Sequence, residues 1–178
     1  MGRHRNQQIG SEERRPMDRS LSAPNALTIV LYQPRIPQNT GSIARMCAAT
    51  GSRLDLINPL FEIDDKKLKR AGLDYWHLLD VRHFESLEDW QKQNSQITPW
   101  LVEVGSPKKY TDAQFSQADY LMFGDEQDGI PEALLKQCPD QHLSLPQQGV
   151  RSLNLATSVA VVTYEALRQL DWYSLESI

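Results

Sequence analysis

The sequence predicts an α/β fold built on a mostly parallel sheet flanked by helices. Three observations predict it. Short apolar runs of strand length recur from Leu27 onward, longer amphipathic runs separate them, and Gly, Pro or Asn residues punctuate the joins. A chain of 178 residues has room for one domain with a proper core.

The first strand is Leu27 to Tyr32, apolar almost throughout and followed by Pro34 and Pro37. The stretch after Gln38 reads as a helix with Ile43, Met46 and Cys47 on one face and Gly51 as its stop. Arg53 to Ile57 is the next strand, halted by Asn58-Pro59. Asp64 to Ala71 reads as a short, strongly basic helix stopped by Gly72. Further strands are expected at about Leu78 to Val81, Trp100 to Val104, Tyr120 to Phe123 and His142 to Leu145. Helices are expected at about Leu87 to Gln93, Pro131 to Gln137 and Leu155 to Leu170. Residues 1–26 hold five arginines among several acidic groups and little apolar surface, so they read as a disordered extension ahead of a domain spanning 27–178.

Composition narrows the class. Apolar content is 40% and charged content 24%, as in ordinary soluble proteins. No apolar run nears the roughly 18 residues that cross a bilayer, and the N-terminus has no secretory apolar core. Two cysteines, Cys47 and Cys138, make no disulfide framework, and the cytoplasm is the expected compartment. Nineteen basic against 23 acidic residues give a net charge of −4, which argues against coating nucleic acid by bulk charge. A local basic patch would still suffice for RNA.

Ligands of parallel sheets bind beyond the carboxyl ends of the strands, which directs attention to the loops after Val104, Phe123 and Leu145. One of them, Gly124-Asp-Glu-Gln-Asp-Gly129, allows sharp backbone turns but lacks the Gly-Lys-[Ser/Thr] ending of a phosphate loop. Its acidic residues would repel phosphate and favour a neutral or cationic ligand. Glu126 either contacts that ligand or pairs with a basic neighbour. Another loop ends in Arg151-Ser-Leu-Asn-Leu155 and runs into an apolar helix, placing Ser152 and Asn154 where unpaired N–H groups can hold a polar ligand. Near the front, Asn39 reads either as an N-cap or as a site residue, and Arg45, six positions on, as a surface side chain or a functional one. Lys66, Lys67, Lys69 and Arg70, followed by Tyr75 and Trp76, form a basic and aromatic cluster of the kind that meets RNA, with Lys108 and Lys109 as a second, smaller one. The four histidines have no metal-ligand spacing, so no metal is expected. No Gly-x-Ser-x-Gly elbow and no Gly-x-Gly-x-x-Gly fingerprint is present. From residues alone, the reading is an α/β enzyme with a loop-built pocket.

Four stretches in order carry a family resemblance. Ile36-Pro-Gln-Asn-Thr-Gly-Ser-Ile-Ala-Arg45, Leu121-Met-Phe-Gly-Asp-Glu-Gln-Asp-Gly-Ile-Pro131 and Leu145-Pro followed by Arg151-Ser-Leu-Asn-Leu155 resemble the three motifs of SPOUT-class RNA 2′-O-methyltransferases. Asp64 to Tyr75 is similar to a stretch typical of the TrmL/YibK-like tRNA (cytidine(34)-2′-O)-methyltransferases. The resemblance covers about Leu27 to Leu170. It implies a homodimer, a deep C-terminal trefoil knot, and S-adenosylmethionine contacted by Leu101 or Val102, Gly124, Leu145 and Ser152. It also implies that Arg45 activates the ribose hydroxyl of nucleotide 34, in leucine tRNA, with Asn39, Glu126 and Asn154 orienting the groups and Lys66, Lys67, Lys69, Arg70 and Tyr75 meeting the RNA. The chain departs from the pattern in a shorter loop between Pro146 and Ser152, and in Asp125 and Asp128, where relatives often have other residues. Two other readings compete: the same enzyme class acting on another tRNA position or on rRNA, and a silent RNA- or cofactor-binding protein.

Overall fold

A computed structural model describes residues 26–62 and 79–171. The basic helix expected at Asp64 to Ala71, the cluster Lys66, Lys67, Lys69, Arg70 and Tyr75, and nearly all of the N-terminal extension lie outside the described residues.

Among the described residues, seven parallel strands form one sheet: β1 (Thr28–Tyr32), β2 (Arg53–Ile57), β3 (Val81–Phe84), β4 (Trp100–Val102), β5 (Lys108–Lys109), β6 (Tyr120–Phe123) and β7 (His142–Ser144). Their spatial order is β3-β2-β1-β6-β4-β7-β5, so the late strand β6 lies between β1 and β4. The helices are α1 (Pro37–Thr50), α2 (Leu87–Gln93), α3 (Glu132–Gln137) and α4 (Leu155–Gln169).

Two-residue periodicity divides the sheet's side chains between two cores. Ile29, Leu31, Leu54, Leu56, Val102, Leu121 and Phe123 face α1 and α4, meeting Ile43, Cys47, Val159 and Val162. Val30, Ile57, Leu101 and Met122 face the opposite way, toward Trp90 of α2 and Leu134 of α3. Helices thus cover both faces, which a parallel sheet with near-continuous apolar strands requires.

Local chemistry sets the helix ends. Pro37 opens α1, where its missing N–H costs nothing, and Gly51 closes it at φ +67° with its N–H on the Cys47 carbonyl. Ser86 caps α2 by accepting from Asp89 N–H at 3.1 Å. Asn154 caps α4, accepting from Thr157 N–H at 3.3 Å.

Asp55 is wholly buried in β2, and one arginine with one indole makes that tolerable. Arg82 of β3 donates to its two oxygens at 2.8 and 2.6 Å, and the Trp90 indole N–H adds a third bond at 2.9 Å. These bonds explain why β3 departs from the sequence expectation. The apolar pair Leu78-Leu79 suggests a strand at 78–81, whereas β3 pairs Val81 with Leu54 and Phe84 with Ile57. That register sends Phe84 into the core and Arg82 to Asp55. The sequence gives no sign of strand β5: two residues carry no periodicity, and its lysines decorate a sheet edge. Strand β4 stops at Val102 and β7 at Ser144, short of the expected Val104 and Leu145.

Candidate active site

A cavity of about 460 Å³ opens at the carboxyl ends of β4, β6 and β7, beside the first turns of α1 and α4. This is where an open parallel sheet presents its loops to a ligand.

The turn after β6 forms one wall. Asp125 and Gly129 exchange backbone hydrogen bonds at 3.3 and 3.1 Å, and Asp125 Oδ1 accepts from the N–H groups of Gln127 at 2.6 Å and Asp128 at 2.8 Å. Glycine is obligatory at both ends. A Cβ on Gly124 would strike the Gly129 backbone, and Gly129 sits at φ +71° against the Glu103 carboxylate. Glu103 follows β4 and anchors the far side of the turn, accepting from Ile130 N–H at 2.7 Å.

Glu126 points from this turn toward the start of α1. One oxygen accepts from Arg35 N–H at 2.8 Å, the other from Ile36 N–H at 3.2 Å and Asn39 Nδ2 at 3.0 Å. Asn39 Oδ1 in turn accepts from Asn154 Nδ2 at 2.9 Å. A single chain of hydrogen bonds therefore joins the turn after β6 to the N-termini of α1 and α4. Arg35 also reaches the turn with its side chain, donating from one terminal nitrogen to Asp125 at 2.8 Å and Asp128 at 3.0 Å. Arg151 closes the third edge by donating to the Gln127 carbonyl at 2.7 Å.

Burial works against the charge of Asp125, but the bonds from Arg35 and from the Asp128 and Gln127 N–H groups outweigh it and hold its pKa below the ordinary value. Glu103, Asp125, Glu126 and Asp128 line the cavity against one cationic lining residue among the described residues, Arg151. Such a wall suits a cationic ligand and disfavours a phosphate.

Of the residues singled out in the sequence, Val102, Gly124, Leu145, Ser152, Asn39, Glu126 and Asn154 line this cavity. Leu101 does not, because strand alternation turns its side chain into the opposite core. Arg45 is not among the lining residues either: six positions along α1 from Asn39, it lies on the helix's exposed face. Asn39 caps nothing. The helix begins two residues earlier, so its side chain serves the site. Glu126 pairs with backbone and amide donors rather than with a basic side chain. Sequence reading misses Glu103, although a carboxylate immediately after a strand of a parallel sheet is a signal of position. It also misses Arg35, whose partners lie 90 and 93 residues downstream and leave no local trace.

The model of the SpoU rRNA Methylase family matches residues 26–164. A tRNA (cytidine(34)-2′-O)-methyltransferase of Escherichia coli K12 is 44% identical over 150 residues, covering 82% of this chain and 95% of its own. A solved structure concerning 2-OH methylation of C/U34 on tRNA is 42% identical with a TM-score of 0.78, covering 84% of this chain and 99% of that one. The SpoU methyltransferase AviRb from Streptomyces viridochromogenes, in complex with the cofactor AdoMet, is 26% identical with a TM-score of 0.70, covering 88% of this chain and 65% of that one.

Proposed function

Since the chain belongs to the SpoU methylase family, we propose that it transfers a methyl group from S-adenosylmethionine to the ribose 2′-hydroxyl of the wobble nucleotide of tRNA, with leucine tRNA as the substrate. The observation that carries this reading is the convergence of three sequence-distant motifs, through Asn39, the Gly124–Gly129 turn and Asn154, on one acidic cavity. A relative named for cytidine 34, aligned over 95% of its own length, favours tRNA over rRNA.

The acidic wall and the close Gly124–Gly129 turn fit a cationic nucleoside, with Val102, Gly124, Leu145 and Ser152 as its contacts. When bound, S-adenosylmethionine supplies an electrophilic methyl group on a sulfonium. The protein's part is to align the acceptor and to stabilise its developing alkoxide. Arg45 supplies the positive charge for that stabilisation. Permanently protonated, it acts electrostatically rather than as a base, and it stands exposed on α1, outside the cavity lining. Glu126, Asn39 and Asn154 fix the geometry of the first turns of α1 and α4.

The same reading includes a C-terminal trefoil knot and a homodimer in the cytoplasm. The first is carried by membership of the family alone. Support for the dimer comes from α4, where Val161 and Tyr164 stand 37% and 41% exposed on the face turned away from the core that Val159, Val162 and Ala166 enter. Light scattering of the full chain measures the dimer directly.

The deciding experiment is transfer of labelled methyl from S-adenosylmethionine into tRNA lacking wobble 2′-O-methylation, followed by fragment mapping. Label at nucleotide 34 is expected. Label elsewhere would move the substrate, and cofactor binding without transfer to any RNA would favour a silent binder. The variant Arg45→Ala is expected to keep its cofactor affinity within about twofold and to lose transfer by about 100-fold or more. Unchanged turnover would remove Arg45 from the mechanism.

A further inference from the structure

Asp125 and Asp128 are unusual companions for a turn that walls a small-molecule cavity, and Arg35 explains both. Its terminal nitrogen lies between the two carboxylates, 2.8 Å from Asp125 and 3.0 Å from Asp128. The two arms are unequal. The Asp125 side chain is 2% exposed and that of Asp128 is 78% exposed. Water and salt screen the outer pair, so the inner one carries the strength.

Asp125 transmits that hold to the main chain. While one oxygen takes Arg35, the other takes the N–H groups of Gln127 and Asp128, which form the tip of the turn. Arg35 and Ile36 hold the same turn at a second point, where their backbone N–H groups bind Glu126. The two attachments are separable. Removing the Arg35 side chain leaves every donor to Glu126 in place, and with it the bonds through Asn39 to Asn154. It also leaves the Asp125 carboxylate two backbone donors, so the turn is loosened without stranding a buried charge.

We propose that Arg35 is a positioning residue for cofactor binding, holding the Gly124–Gly129 turn in its binding-competent shape through Asp125. The proposal rests on the reading that the adjoining cavity takes S-adenosylmethionine. A looser turn is competent for only a fraction of the time, and the apparent dissociation constant rises by the inverse of that fraction. Once cofactor is bound the turn is held again, so the effect falls on affinity and not on the rate at saturation.

Titration calorimetry of the full chain with S-adenosylmethionine, alongside transfer kinetics and thermal melting, tests this. Arg35→Met keeps the aliphatic stem and is expected to weaken binding about tenfold, with kcat at saturating cofactor within about twofold of wild type. Arg35→Lys recovers part of the affinity, since an ammonium can reach one carboxylate as a point charge. Asp125→Asn weakens binding comparably, and adding Arg35→Met to it costs less than a further twofold, because both remove one interaction. Wild-type affinity in folded Arg35→Met overturns the proposal, as does a lowered kcat at unchanged affinity. A lowered melting temperature with no recovery in Arg35→Lys makes Arg35 a structural residue only, which also overturns it. If the wild-type chain binds no S-adenosylmethionine, the reading of the cavity fails instead. Hydrogen exchange of the 125–129 amides then decides the clamp: faster exchange in Arg35→Met supports it and unchanged exchange refutes it.

Discussion

Asn154 donates to Asn39 across 2.9 Å, joining residues 115 positions apart at the first turns of two helices. The same Asn154 side chain also caps α4 through its oxygen. One residue thus closes a helix and completes the bridge to Glu126.

These two duties can be separated. Serine is as good an N-cap as asparagine but has no amide to offer Asn39. Asn154→Ser is expected to melt within about 0.5 kcal/mol of wild type while transfer falls about tenfold or more. Asn154→Ala loses the cap as well, costing about 1 kcal/mol. Paired melting and transfer measurements distinguish the two effects, and equal activity of Asn154→Ser and wild type would disconnect the bridge from catalysis.

The turn after β6 tolerates no side chain at its first position. Gly124→Ala sets a Cβ against the Gly129 backbone, which has no flexible end to move aside. Cofactor binding is expected to fall by about 100-fold or beyond detection by calorimetry, with the sheet retained in circular dichroism.

Stability away from the site depends on the buried Asp55. Arg82→Met keeps the aliphatic packing but leaves the carboxylate, among the described residues, with only the Trp90 indole N–H, and is expected to cost about 3 to 5 kcal/mol in urea unfolding. The double variant Arg82→Met/Asp55→Leu removes charge and partner together and should recover much of that loss.

Acid exposes a smaller interaction on α4. The hydrogen bonds from Arg168 outweigh burial and, with Gln169, depress the Glu165 pKa from 4.5 to about 2. Because the folded-state value is the lower one, the stabilisation is complete above pH 4.5 and is lost as pH falls toward 2. Arg168 is mostly exposed, so solvent screening limits the contribution to about 0.5 kcal/mol. Glu165→Gln should lower the melting temperature slightly at pH 7 and leave it level with wild type near pH 2; an equal deficit at both pH values would contradict the assignment.

Legibility in the sequence follows the range of the cause. Strands β1, β2 and β6 and helices α2 and α4 are readable from continuous apolar runs, caps and breakers, all of them local. Strand β3 is not, because its register answers to Asp55 across the sheet rather than to its own hydropathy. The three site motifs are readable because each carries unusual residues in a fixed order, and the cavity draws on Asn39, Gly124 and Asn154 from all three. What holds them together is not readable. Arg35, Glu103 and Arg151 act on partners chosen by chain topology, and no spacing rule connects residue 35 with residue 125.

That topology has a consequence during synthesis. Among the described residues, only Ile36 and Asn39 of the cavity's lining precede residue 102, while Ser152, Asn154 and Ser158 belong to the α4 segment and its approach. A growing chain can assemble β1 and β2 early, since they pair in register along their full length. It has no central strand β6 until residue 123 has left the ribosome, and no third wall until α4 emerges. Cofactor therefore cannot template the early folding of this protein. Binding is a receipt for the finished chain: a polypeptide ending just before α4 contains all seven described strands but lacks both the third wall of the cavity and a helix that covers one face of the sheet.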